Sequence, residues 1–449
     1  MIFSSSIFWG LFTVLVFLDL AGRLIVKSAP TTNSILLISS FTFYWIWDGT
    51  LAILLALVIC QSYLSAVLTS RTRSPYPTVG SVVLNLVVLG YFKYSDFFLN
   101  DIGRFGASFS ASVVIPIGLS FYIFQAVSFN VDVLRGLVKP DQLSLLKFAL
   151  YISFFPQIAA GPIERYSVME SQFSRVRPVT HKDLSLGLEM IVRGAFLKFA
   201  IADPLGPKVE KVFDSTSELS STSLCLGLLY FGIQIFSDFA GYSLMAAGTA
   251  RVLGVHLTRN FGSPYFVTSL RRFWQHWHIS LSRFFRDYVY VPLGGNRVGS
   301  WRITTNVLVT FALSGLWHGA GFTFVLWGLL HGVALIVERG LNTRPGPWTW
   351  LRTQLIVFFG WILFRSGSVA DSVEFVRGLW QIPGRPEIGW SGAPLVLLFF
   401  GYELLFGVRE GNISAPVNDR HKVLLLPILL CLVLGAWVGP RSDFVYLRF

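Results

Sequence analysis

The sequence predicts an all-α polytopic membrane protein, and three observations carry that prediction. Hydrophobic residues fill 53% of the 449 positions and charged residues only 13%, about half the charged share of a soluble domain. Apolar segments recur along the whole chain with no long polar stretch between them. The 36 Lys and Arg against 24 Asp and Glu give a net charge of +12, and the cations cluster between the apolar segments. In a soluble protein such an excess points to nucleic acid; in loops between spans it follows the positive-inside rule. The 41 Phe and 14 Trp suit lipid-facing surfaces and interfacial belts.

A spanning helix needs about 20 largely apolar residues. In chain order the candidate segments are 6–26, 33–47, 50–69, 78–95, 111–131, 144–162, 187–203, 222–249, 303–317, 322–337, 353–366, 393–408 and 423–439. Some are short and some carry charges, which predicts about 11 to 13 transmembrane or re-entrant helices around a central tunnel, where irregular backbone is tolerated at membrane depth. The first segment contains Asp19 and Arg23, follows no cationic stretch and shows no clear cleavage site, so it reads as a retained span. No repeat, low-complexity tract or soluble domain interrupts the chain, and residues 1–449 read as one integral-membrane domain. The Gly/Pro-rich stretch 383–392 reads as a loop. Cys60, Cys225 and Cys431 lie in apolar segments without a C-x-x-C pair, which indicates neither a disulfide framework nor a metal knuckle.

Segment 251–302 is the most informative polar region. Its arginines (251, 259, 271, 272, 283, 286, 297 and 302) face a single acid, Asp287, and place it on the cytoplasmic side. Within it, Leu270, Phe273, Trp274, Trp277, Leu281, Phe284, Phe285 and Tyr288 fall in one sector of roughly 120° at helical spacing. This predicts one amphipathic helix over 270–288, lying in the interface plane with aromatics toward the hydrocarbon and guanidinium groups toward headgroups. Pro292 and Gly294–Gly295 end it. His276 and His278 are two residues apart, and on a helix such positions do not face each other; a helical metal pair uses a spacing of four. No metal site is expected, and His278, at the edge of the apolar sector, is free to turn into the protein.

The next apolar segment, Ile303–Trp317, runs into His318 and a Gly319-Ala320-Gly321 break before Phe322–Val337. Fifteen residues rise roughly 22 Å against a hydrocarbon core of about 30 Å. The pattern predicts a hairpin with His318 near its tip, deep in the membrane, and His331 on the return arm. An ionisable group in such sequence reads as functional, and imidazole suits proton transfer near neutral pH. The small residues beside it leave the backbone open to a substrate. A core histidine satisfied by a neighbouring carbonyl is the other reading. Asp238 is a second intramembrane ionisable group, with two readings: it orients a histidine, or it pairs with an arginine for structure. No G-x-S-x-G elbow, P-loop, dinucleotide glycine pattern or H-E-x-x-H competes with His318.

Several stretches in order resemble the membrane-bound O-acyltransferase (MBOAT) superfamily, in its bacterial branch with the alginate O-acetylation and teichoic acid D-alanyl transfer proteins. They are Ile115 to Gln125, Phe155-Pro156-Gln157 with Ala160 to Ile163, Phe236 to Ser243, Gly262 to Tyr265, Phe273-Trp274, Trp277 to Ser282, Arg286-Asp287-Tyr288, Gly294 to Arg297, Leu316 to Ala320, Phe364-Arg365 and Phe444 to Phe449. The resemblance places the family's essential histidine on His318 and its other recurrent histidine on His278, and sets Arg271 to Tyr288 beside the catalytic chamber. Two positions depart from the family pattern: His276 stands where an arginine is common, and Leu244 where an acid is usual.

What the resemblance implies is O-acyl transfer across a bacterial plasma membrane. His318 is the expected general base and His278 its catalytic companion; Trp317, Trp277, Asp238, Arg283 and Arg286 are the expected substrate-binding residues. The expected co-substrate is an acyl thioester, acetyl-CoA or an acyl carrier, with no bound cofactor. The expected partners are the lipid bilayer, the cytoplasmic donor, and an extracytoplasmic acetyltransferase-like protein or polysaccharide acceptor, with no nucleic acid. A transporter or flippase is the competing reading, since broken helices and buried charges occur there too.

Overall fold

A computed structural model describes Phe3 and residues 5–97, 114–341, 343–381, 383–407 and 419–437. The terminal stretch 444–449 and the start of the predicted segment 111–131 lie outside these residues. The protein is an all-α polytopic membrane protein, and the described residues contain no strand. Among the described residues, five helical stretches are long and apolar enough to cross a bilayer: Ser6–Val26, Leu51–Thr72, Tyr76–Ser95, Ser221–Val252 and Phe322–Gly340. Three more apolar helices are shorter: Leu119–Leu134, Ala393–Phe406 and Leu426–Ala436.

Two compact units divide the chain, residues 1–191 with 245–258, and 192–244 with 259–449. The first unit holds α1 (Ser6–Ala21), α2 (Ala29–Asp48), α3 (Leu51–Thr72), α4 (Tyr76–Asp96), α5 (Leu119–Leu134), α6 (Leu145–Ser153), α7 (Phe155–Ile158), α8 (Tyr166–Phe173) and most of α9 (His181–Ala195). The predicted segment 144–162 is thus two short helices, interrupted at Phe154 just ahead of Pro156, where proline lacks the amide a continuous helix would need. Gly118 (φ +71°) turns the chain into α5 against the end of α7, where a Cβ would lie 2.0 Å from the carbonyl oxygen of Ile158. The charges that mark α1 are neutralised inside this unit. Asp19 pairs with Arg23 one turn on and with Arg177 at 3.1 Å, and Arg177 also donates to Asn33 Oδ1 at 2.7 Å. Large exposed apolar residues such as Phe17, Leu24, Leu57 and Val87 are left for lipid.

The second unit carries α10 (Asp203–Asp214), the first part of α11 (Ser221–Val252), α12 (Leu270–His276), α13 (Ile279–Phe285), α14 (Ser300–His318), α15 (Phe322–Gly340), α16 (Pro347–Arg365), α17 (Val369–Gly378), α18 (Ala393–Phe406) and α19 (Asp419–Trp437). Residues 383–392 form the predicted loop between α17 and α18.

The hairpin of α14 and α15 follows the sequence pattern closely, break included. Its first arm begins at Ser300, three residues earlier than the apolar run, so its 19 residues rise roughly 28 Å. Glycines set how near the arms come. A Cβ on Gly315 would sit 2.0 Å from the carbonyl oxygen of Phe324, and one on Gly328 would sit 2.1 Å from that of Phe311. Backbone meets backbone there, as small residues permit between membrane helices.

The continuous interfacial helix expected over 270–288 is not formed. α12 stops at His276, α13 starts at Ile279, and a π-helical turn (Arg286–Tyr290) follows. His278 lies between the two helices in left-handed backbone, φ 42° and ψ 56°. The break redirects the apolar sector: Leu270, Phe273, Trp277, Leu281, Phe284 and Phe285 are buried within the protein, not laid against lipid. Helical periodicity marks which side chains are covered, but it does not show whether lipid or protein covers them.

Candidate active site

Every side chain of the site belongs to the second unit. His318 is the last residue of α14, and the glycines that follow end the helix in extended backbone (Gly319 φ −160°, Gly321 φ −172°). The imidazole is buried. Its ring centroid lies 5.0 Å from Trp317, 5.0 Å from Trp327 of the return arm, 5.3 Å from Phe364 of α16 and 6.4 Å from His278. His278 is also buried, 4.7 Å from Phe239 and 5.8 Å from Trp317. The two histidines, 40 positions apart in sequence, therefore meet across one aromatic chamber with Trp317 touching both.

Left-handed backbone at a residue with a Cβ costs on the order of 1–3 kcal/mol and persists only where its surroundings impose it. Here a short strip, Asn260–Gly262, imposes it. The carbonyl of Asn260 accepts the Ile279 N–H at 2.9 Å, and its Oδ1 accepts both the N–H (3.2 Å) and the hydroxyl (2.9 Å) of Ser280. On the other side of the break, the Gly262 N–H donates to the His276 carbonyl at 2.7 Å. Asn260 thus pins α13 while Gly262 pins α12, and His278 is held between them. Sequence reasoning missed Asn260; the turn-forming run Asn260 to Pro264 was the signal available for it.

The start of α12 is fixed by Glu338, near the end of α15. Its carboxylate accepts from the N–H groups of Leu270 (2.9 Å) and Arg271 (3.2 Å) and reaches Arg352 at 3.4 Å. A carboxylate there complements the positive end of the helix. His331, about two turns earlier on α15, stacks on Phe273 and packs against Trp274 and Trp327. It joins α12 to the hairpin and lies outside the pair formed by His278 and His318.

The other predicted residues separate into distinct environments. Trp277 is fully buried against Phe273, Phe261 and Trp361 and lines neither of the two cavities that follow. Asp238, read either as orienting a histidine or as pairing with an arginine, pairs with a lysine. Lys198 Nζ lies 2.7 Å from Asp238 and 2.6 Å from Asp203, all three buried. The π-helical turn Phe196–Ala202 carries Lys198 into the cluster, and Phe239, next to Asp238, is the ring against His278. Arg283 and Arg286 are exposed, Arg286 donating to Asp287 at 2.7 Å.

Two cavities flank the hairpin at opposite ends. The larger, about 1050 Å³, is bordered by Arg271, Arg283, Arg286 and Arg339 and runs along α14 through Ile303, Val307 and Phe311 to Ser314. The smaller, about 290 Å³, begins where the hairpin turns, at Ala320, Gly321, Thr323 and Phe324, and includes Glu210, Gln234 and Arg365. In the chain, Trp317 and His318 fall between Ser314, the last α14 residue lining the larger cavity, and Ala320, the first hairpin residue lining the smaller. The arrangement suits a base that receives reactants from two sides, one side strongly cationic.

Residues 102–364 match the model of the membrane-bound O-acyltransferase family, MBOAT. The probable alginate O-acetylase AlgI of Pseudomonas putida is 34% identical, the alignment spanning all of both chains. The probable alginate O-acetylase AlgI of Pseudomonas aeruginosa is also 34% identical, over 91% of this chain and 82% of that protein. The peptidoglycan O-acetyltransferase of Helicobacter pylori is 32% identical over 78% of this chain and 74% of its own.

Proposed function

For a chain that belongs to the membrane-bound O-acyltransferase family, we propose that the acyltransferase moves an acetyl group from a cytoplasmic thioester to a hydroxyl of an exported polysaccharide or envelope polymer. His318 is the general base. The proposed setting is the bacterial plasma membrane, with the basic segment 251–302 on the cytoplasmic side. Relatives named for alginate and peptidoglycan O-acetylation support the reaction class. The observation that carries the reading is the buried cluster of His318, Trp317 and His278 at the tip of a hairpin whose sequence lines one cavity as far as Ser314 and another from Ala320 on.

The larger cavity is the donor's. Its arginine border suits the phosphates of coenzyme A or of a carrier's phosphopantetheine, and its course along α14 gives the thioester arm a path toward Ser314, four residues from His318. The smaller cavity is the acceptor's. His318 removes the proton of the acceptor hydroxyl as its oxygen attacks the thioester carbonyl carbon. The tetrahedral oxyanion collapses, the carbon–sulfur bond breaks, and the imidazolium returns its proton to the departing thiolate. The products are the ester and the free thiol, and the histidine is restored. Trp317, touching both imidazoles, is placed to help orient the reacting carbonyl. General-base action is worth about 10²- to 10⁴-fold, the remainder coming from positioning and oxyanion stabilisation.

The test is transfer of labelled acetyl from a thioester by the purified full-length protein. His318→Ala should lower transfer by about 10²-fold or more while the protein still inserts and purifies as wild type does. Retention of more than a few per cent of activity removes His318 from the base role.

A further inference from the structure

The two cavities differ in charge as much as in size. The donor cavity has four arginines on its lining against one acid, Glu338, whose carboxylate is already engaged at the start of α12. The smaller cavity has one cation, Arg365, and one anion, Glu210, and no other charged residue. Its remaining polar lining is the amide of Gln234 and the hydroxyls of Thr323 and Ser366, with the rings of Phe231 and Phe324 beside them. The Arg365 guanidinium lies over the Phe213 ring at 5.4 Å, and Gln234 is buried.

From this lining we propose that the acceptor is an uncharged sugar residue and that Glu210, Gln234 and Arg365 select it over an acidic one. The proposal rests on the acyl-transfer reading above, and it names the substrate class of the acceptor side. A carboxylate accepts, a guanidinium donates, and an amide and two hydroxyls do both, which is the mixture a ring of hydroxyls needs. Phenylalanine rings offer flat apolar faces to the C–H side of a sugar. At about 290 Å³ the space equals that of roughly ten liquid waters, enough for one sugar ring at a time. A uronate brings a negative charge into a cavity whose one cation is matched by its one anion, so it gains no surplus positive charge and meets Glu210.

The experiment is equilibrium binding to the full-length protein in nanodiscs, by saturation-transfer NMR, with a neutral β-1,4-glucan tetramer and a tetra-uronate of matched length. Binding is measured on wild type and on His318→Ala, so that loss of the catalytic reading and loss of this one are separable. The expected result is that the neutral tetramer binds at least tenfold tighter in both proteins. Glu210→Gln should then reduce that preference about tenfold by leaving Arg365 as surplus charge, and Gln234→Ala should weaken the neutral ligand. Wild-type discrimination is itself decisive if a variant fails to fold. Equal or tighter uronate binding overturns the proposal, as does a preference that Glu210→Gln leaves unchanged. Failure of the neutral tetramer to bind also overturns it, and would point to a protein hydroxyl as acceptor.

Discussion

The α14–α15 hairpin and the α12–α13 pair each deliver one histidine to the same chamber, by opposite means. The hairpin holds His318 at the end of a regular helix, and what positions it is backbone contact at Gly315 and Gly328. The α12–α13 pair holds His278 where regular structure fails, and what positions it is a polar clamp from Asn260 and Gly262. Close packing tolerates no added volume. A clamp of hydrogen bonds tolerates volume but not the loss of an acceptor. The two regions should therefore fail differently when altered.

The largest effect is expected in the hairpin. Gly315→Leu drives a side chain into the carbonyl of Phe324, where backbone cannot yield cheaply. The expected cost is about 3 kcal/mol or more, seen as a large fall in Tm in detergent with transfer activity lost. An active, stable Gly315→Leu protein would mean that the arms do not depend on this contact. Next is His278→Ala, which should reduce kcat by about 10- to 10²-fold, the scale of a misplaced reactant, and by less than His318→Ala. Equal losses from the two would make both histidines parts of one proton-transfer unit.

Asn260→Ala should act in the same direction as His278→Ala and more weakly, at a stability cost of about 1–3 kcal/mol for the orphaned N–H and hydroxyl of Ser280, while the Ile279 N–H keeps the backbone carbonyl at position 260. If the double variant falls no further than His278→Ala alone, Asn260 works through His278, which a double-variant comparison reads directly. The smallest effect should come from changing Arg283 and Arg286 to Gln. Their charges reach about 8 Å at physiological salt, so the apparent donor KM should rise several-fold with kcat nearly unchanged, and the difference should shrink as salt rises. A collapse of kcat at constant KM would place these arginines in the chemistry and erase the division between the two regions.

The same contrast explains what the amino-acid sequence made legible. The hairpin, its glycine break and the position of His318 are all readable, because apolar run length and small residues fix them locally. The break at His278 is not, since Leu270 to Tyr288 keep helical periodicity straight through it. What interrupts the helix is Asn260, bound to the far side of the break, and no periodicity reports a partner some 20 residues away. Asp238 shows the same limit. Its place among apolar residues was readable, but its lysine partner was in neither of the two readings, because Lys198 comes to it from a π-helical turn some 40 residues earlier in the chain. Arg283 and Arg286 were readable as a cationic group, whereas Arg339, contributed by the return arm, joined them only once the fold was known.

The separation of donor and acceptor has an electrical consequence. In the proposed reaction the acyl group passes from the donor to the acceptor, and the proton of the acceptor hydroxyl passes through His318 the other way, to the thiolate. An acylium equivalent is exchanged for a proton, and the phosphates of the donor stay at the arginine border. A membrane potential does work of about 2.3 kcal/mol on each unit charge moved through 100 mV, and here the net charge moved is zero. Transfer should therefore run at the same rate in energised and de-energised vesicles, driven by thioester cleavage alone, with the bilayer kept closed to ions at every step.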